Sequence, residues 1–165
     1  MSLHFDFALA CDLKPNTSQQ IVDTLAYMTR SSDYRFDDPP KHPYFSDDPY
    51  DSWRTMLQIT PKDTHLAGEV GAILRRVHRY PYAATDQYRY TFSFRRFMLD
   101  DEFYQVWWNF SQWLAPYSET QGFVGYYREE LALQPTLLYF RSGEVYLHEV
   151  TQPPYSLRHK TLWPE

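Results

Sequence analysis

LHFDFALAC, residues 3–11, alternates residue by residue: Leu3, Phe5, Phe7, Leu9 and Cys11 fall on one face, His4, Asp6 and then Asp12 on the other. Successive side chains of a strand point to opposite faces, so this period marks a half-buried β-strand. A second stretch, YRYTFSFRRFM at 88–98, repeats the pattern with Tyr90, Phe92, Phe94 and Met98 against Thr91, Ser93 and Arg95. Arg96 breaks it by falling on the apolar face.

Each strand is followed by a helix. After Lys14-Pro15-Asn16 the spacing of Ile21, Val22, Leu25 and Met28 predicts a helix from about Thr17 to Arg30, with Asn16 as cap and Gln19 reaching back. After Met98, Asp100-Asp101-Glu102 places acids where the helix dipole favours them. That helix runs to Ala115 and stops at Pro116, with Phe103, Trp107, Phe110 and Leu114 as its buried stripe. Further strands are predicted at Trp53–Thr60, Glu69–Tyr80, Gly122–Glu129, Pro135–Arg141 and Glu144–Val150, the last two joined at Ser142-Gly143.

These elements predict a single α+β domain over 1–165, mainly antiparallel sheet with two helices on one face. Two halves, 1–82 and 88–150, read as copies of a β-α-β-β(-β) unit. Within the first half the chain has a long loop at 31–52 with Pro39, Pro40, Pro43, Pro49, six Asp and five aromatic rings, too aromatic for an inert linker. The tail 151–165 contains Pro153-Pro154 and is expected to wrap the surface.

Composition narrows the function. In 165 residues there are five Trp, 15 Tyr and 11 Phe, 43% of residues are apolar, and the net charge is −5, so a core is affordable and global disorder is not expected. No apolar run reaches the ~20 residues of a membrane span, and Asp6 and Asp12 spoil the N-terminus as a secretory signal. A cytoplasmic location without membrane attachment is the expectation. One cysteine, Cys11, leaves neither an intrachain disulfide nor a cysteine zinc site. The histidines His4, His42, His65, His78, His148 and His159 are too far apart in sequence for paired ligation on one helix. Phosphate-cradling glycine loops and the G-x-S-x-G elbow are absent. No metal and no cofactor is expected.

Charge is uneven. Residues 71–98 hold six arginines against Asp86, a local +5, while 31–52 hold six aspartates against Arg35 and Lys41, a local −4. The simplest expectation is that the arginines pair with the acidic loop. A negative total argues against nucleic acid as partner.

Candidate binding residues follow from side chains that a buried stripe does not absorb. Tyr104 and Trp108, four apart on the second helix, form a second aromatic stripe that must meet a loop, a ligand or a partner. Arg96 must either snorkel to the sheet edge or find a buried carboxylate or a ligand anion. Glu129 beside Tyr127, and His148 between Tyr146 and Val150, put ionisable groups among rings, an arrangement suited to a cationic or polar organic ligand. The expectation is a non-enzymatic binding domain for a protein partner, a second copy of itself or a small organic ligand. The alternative is a small cofactor-independent enzyme using Glu129, His148 or His78 as acid and base.

Overall fold

A computed structural model describes residues 3–29, 38–47, 51–57, 71–78 and 88–150. The elements, in chain order, are β1 (His4–Asp12), α1 (Gln19–Met28), the short α2 (Pro43–Ser46), a 3-10 turn at Ser52–Arg54, β2 (Gly71–His78), β3 (Tyr88–Leu99), α3 (Asp100–Leu114), a 3-10 turn at Ala115–Tyr117, β4 (Gly122–Glu129), β5 (Thr136–Arg141) and β6 (Glu144–Glu149). The strands form one sheet in the order β2-β3-β1-β4-β5-β6, and every neighbouring pair is antiparallel. The α+β class expected from the alternation is what the chain adopts, with three α-helices among the described residues where two were expected.

The two alternating stretches lie side by side at the centre. β1 runs against β3 over nine register pairs, from His4–Leu99 to Asp12–Thr91. The chain leaves β1 through α1 and returns as β2 on the far side of β3; it leaves β3 through α3 and returns as β4 on the far side of β1. Phe5, Phe7, Leu9, Phe92, Phe94 and Met98 face the helices and are buried with Ile21, Leu25 and Met28 of α1 and Phe103, Phe110 and Leu114 of α3. At ~25 cal/mol per Å² of apolar surface removed from water, this interlayer core is the main source of stability.

The β5–β6 hairpin turns at Ser142-Gly143, where both residues have positive φ, 53° and 83°. A two-residue loop of that hand matches the twist of the flanking strands, and glycine adopts it without a Cβ penalty. The Ser142 backbone N–H donates to Gln121 Oε1 at 2.8 Å and steadies the turn.

Several expectations need correction. Trp53–Thr60 is not a strand over its described part: Ser52–Arg54 form a 3-10 turn and the chain keeps turning to Leu57. Trp53, Met56 and Leu57 are buried at a spacing of three and four, the period of a helical turn and not of a strand. Helix α1 begins after Ser18, not Asn16, and Gln19 does not reach back; its Nε2 donates forward to Asp23 Oδ1 at 2.8 Å. The expected pairing of the arginines with the loop at 31–52 is tested only in part, because Asp33, Asp37 and Asp48 lie outside the described residues; the acids that the β3 arginines meet among the described residues are on β1 and α3. Arg95 pairs with Asp6 and Arg89 with Asp12, both on β1, and Arg96 pairs with Glu102 on α3. Those acids lie on the neighbouring strand or the adjoining helix turn, so the pairs form with the sheet itself.

The described part of the long loop lies on the body of the protein, as its rings suggest. Pro43 starts α2 at a position where its missing N–H costs nothing. Tyr44 stacks on Trp113 at 5.9 Å, Phe45 meets Trp113 and Trp53 edge-on at 5.0 Å each, and the Tyr44 hydroxyl donates to Met56 Sδ at 3.1 Å. The expected short strand near Tyr34–Phe36, the turns at 61–63 and 81–83 and the tail 151–165 lie outside the described residues. No helix among the described residues is long and apolar enough to cross a membrane.

Candidate functional site

The helix-side end of β4 carries Tyr127 and Glu129, because the alternation that turns Tyr126 and Arg128 to the open face turns these two toward α3. The first two turns of α3 bring Phe103, Tyr104 and Trp107 over the same place. The result is a cleft of about 260 Å³. Its back is the parallel stack of Phe5 on Phe103, ring centroids 4.1 Å apart, continued by Trp107 on Phe103 at 5.3 Å. Tyr127 leans across both, 5.2 Å from Phe103 and 4.7 Å from Trp107. Tyr104 stands edge-on to Phe5 and Phe103 and is 64% exposed, so it forms the outer lip. Glu129 supplies the one carboxylate in the lining and Arg128 the one guanidinium, and Ala132, Gln134 and Thr136 complete it.

Beside the cleft, the turn between β4 and β5 lifts two leucines into water. Leu131 is 67% exposed and Leu133 93%. Together with Tyr104 they put apolar side chains beside a ring-lined cleft that holds one carboxylate, Glu129, and one guanidinium, Arg128. Glu130, the next residue along, is held by His4, whose Nδ1 lies 3.2 Å from Glu130 Oε2.

Of the six residues singled out from sequence, the structure brings Tyr104, Tyr127 and Glu129 together in this cleft. Trp108 lies just beyond, half-buried with its ring edge-on to Trp107 at 5.3 Å. Arg96 is elsewhere, and its requirement for an anion is met internally. Its Nη2 binds Glu102 Oε1 at 3.0 Å and its Nη1 donates to the carbonyls of Thr55 and Met56, clamping the 52–57 turn to the sheet. His148 sits on β6 opposite Leu137, its ring 6.5 Å from Tyr139. His78 is on β2, tilted against Tyr88 at 4.4 Å. β2 and β6 are the two edges of the sheet, five strand spacings or roughly 24 Å apart. His148 and His78 therefore do not meet, and Glu129 faces the helices opposite Phe5 whereas His148 shares the open face with Leu137 and Tyr126.

Phe5, Phe103 and Trp107 also line the cleft, although their spacing marks them only as core stripe. The signal for them was the strand period itself: Phe5 occupies the register position opposite Glu129. Without the order of the strands that pairing is invisible.

Cys11 closes β1 inside the core. Burial pushes its thiol up to about 12, against a hydrogen bond from Ser118 that lowers it, and the Asp12 carboxylate adds to the rise. At pH 8 only on the order of one thiol in ten thousand is then thiolate. The native protein is expected to resist a disulfide-exchange reagent such as dithiobis(nitrobenzoate) and to react with one equivalent after denaturation. Fast labelling of the folded chain would show that Cys11 is open to solvent. The sign of the pH effect follows. The ordinary value, 9.0, is below the folded one, so this group's contribution is complete below pH 9 and is lost as pH rises from there toward 12.

No protein-family model, curated sequence or solved structure matches this chain.

Proposed function

We propose that the protein is a non-enzymatic interaction domain that seats a basic side chain of a protein partner in the aromatic cleft, with Leu131 and Leu133 meeting apolar residues beside it. The observation that carries this reading is the convergence of Tyr104, Tyr127 and Glu129 on one cleft whose rim exposes two leucines. A lysine or arginine stem is apolar and its head is cationic, so rings suit the stem and Glu129 suits the head. Tyrosine and tryptophan are enriched where interfaces concentrate their binding energy. The strand order, with the two strand–helix units crossing around the central β1–β3 pair, also supports reading the halves as copies of one unit.

The test uses acetyl-Leu-Lys-Leu-amide and the same peptide with norleucine in place of lysine, followed by amide NMR shifts of the whole chain. The lysine peptide is expected to move the resonances of Tyr104, Trp107, Tyr127 and Glu129 and to bind about fivefold or more tightly than the norleucine peptide. Tyr104→Ala and Glu129→Gln are expected to remove that preference without unfolding the chain, since Tyr104 is mostly exposed. Equal response to the two peptides, or shifts confined to other surfaces, would overturn the reading.

A further inference from the structure

The face of the sheet away from the helices has its smallest residues at its centre. Ala8 and Ala10 of β1, Ser93 of β3, Gly71 of β2 and Gly125 of β4 form the floor of a groove of about 420 Å³. Ile73 and Arg95 wall one side, Phe123 and Tyr126 the other. That volume falls near the lower end of the range for small-molecule sites. Glycine and alanine are poor strand formers, so four neighbouring strands that set Ala8, Ala10, Ser93, Gly71 and Gly125 around one spot have a packing or binding reason to do so.

Two devices shape the walls. The register between β4 and β5 slips at Phe123/Gly125, a bulge that leaves Phe123 on the open face, 54% exposed, while Val124 is buried. Bulges re-aim a side chain in this way beside binding sites. On the other side, Arg95 is held flat. Its Nε and Nη2 donate to the two oxygens of Asp6, each at 2.8 Å, and the Tyr126 hydroxyl donates to Asp6 Oδ2 at 3.1 Å. Asp6 is 5% exposed, whereas the Arg95 side chain keeps 41% of its surface. Burial, then the Asp6 carboxylate, raises the Tyr126 phenol above its ordinary value, so it stays a donor.

The chemistry of the groove is that of an anion with a flat apolar body. Arg95 is the one guanidinium in the lining; around it on the same face, outside the lining, sit Arg75 of β2, Arg89 of β3 and Arg128 of β4 against Asp6 and Asp12 of β1, a local +2 on a chain of net −5. Arg89 and Arg95 are paired with the two aspartates; Arg75 and Arg128 have no ion pair among the described residues. The Ser93 hydroxyl, in the floor, makes no hydrogen bond among the described residues. Ile73, Phe123 and Tyr126 offer surfaces for a planar body, and Ser93 with the neighbouring guanidinium groups offers donors for its charge.

We infer that this groove is a second binding site, independent of the aromatic cleft, and that it takes a small planar organic anion such as an aromatic carboxylate. Benzoate is the probe, with benzyl alcohol as its neutral counterpart, read by amide NMR on the full chain. Benzoate at millimolar concentration is expected to shift Ala8, Ala10, Ser93 and Gly125, and benzyl alcohol to bind about tenfold more weakly. Ala8→Leu fills the floor from the half-exposed side and is expected to abolish the shifts without altering the melting temperature. Should it unfold, Phe123→Ala removes one wall and is expected to weaken benzoate severalfold. Tyr104→Ala, in the cleft, is expected to leave benzoate binding unchanged, which separates this site from the other. Absence of shifts, shifts that survive in folded Ala8→Leu, or equal binding of benzyl alcohol would overturn the inference. A dimer in light scattering that Ala8→Leu converts to monomer would overturn it too, by giving the face to a second copy.

Discussion

Gly125→Ala is expected to lower the melting temperature by roughly 10 °C or more, while Gly71→Ala on the same sheet leaves it within a degree or two. A Cβ at Gly125 would stand 2.0 Å from the Ala8 carbonyl oxygen and 2.8 Å from Leu9 Cα. Both are backbone atoms of the central strand, so no side chain can swing away. The collision is relieved only by lifting β4 off β1, which loosens the pairing from Phe5–Glu129 to Leu9–Gly125. Disruption of that kind belongs with the largest single-residue effects, about 3–5 kcal/mol, and about 2–4 °C per kcal/mol applies to a chain of this size. At Gly71 an added Cβ meets nothing within 4 Å. Circular dichroism melts of the two variants beside wild type check the contrast. A Gly125→Ala melt that matches wild type would mean that β4 does not lie so close on β1.

Trp53→Ala is the second large effect, expected at about 3–5 kcal/mol, as for other buried tryptophans cut to alanine. The side chain is fully buried, between Tyr27 at 5.9 Å and Phe45 at 5.0 Å. Its indole N–H donates to Asp51 Oδ1 at 3.3 Å, and the Arg54 guanidinium lies over the ring at 4.4 Å. The last two contacts are worth less than the burial, about 1 kcal/mol each. Trp53→Phe is therefore expected to recover more than half of the loss. Trp53 links α1 to α2 and to the turn beneath Arg96, so the alanine variant is also expected to be cut severalfold faster by trypsin after Lys41 under native conditions. Urea denaturation and timed proteolysis measure the two effects. A full loss of stability with unchanged cleavage would show that α2 is held without Trp53, by the contacts of Tyr44 and Phe45 with Trp113, Phe110 and Met56.

The contrast between these sites shows what kind of information each needed. Trp53 could be recognised as core from its type, and its spacing to Met56 and Leu57 already carried a helical turn. Reading Trp53–Thr60 as a strand gave weight to β-forming residue types over that period. Gly125 carried no such signal, because the need for glycine arises from β1 pressing on β4, more than a hundred residues away in the chain. The same holds for Arg96. Its place on the apolar face was legible and so was its need for an anion, but Glu102 and the Thr55 and Met56 carbonyls as partners were not.

The cleft was half legible. Glu129 beside Tyr127, and Tyr104 off the main helix stripe, marked themselves as residues that the core does not absorb. That they meet each other, and that His148 and His78 end on opposite edges of the sheet, depended on how the strands are ordered.

From sequence alone came the elements whose information is local: the alternation of β1 and β3, the amphipathic faces of α1 and α3, the Ser142-Gly143 hairpin, the acids opening α3. Each is written in residues two to four apart, the distance over which backbone periodicity acts. The tertiary structure alone decided the order β2-β3-β1-β4-β5-β6, and with it the Asp6–Arg95 pair, the groove on the open face and the ring cleft on the other. The physical reason is that strand pairing is made by backbone hydrogen bonds that nearly every residue can offer. Which strands meet is therefore settled by the burial of whole faces and the crossing of helices, and not by any residue's immediate neighbours.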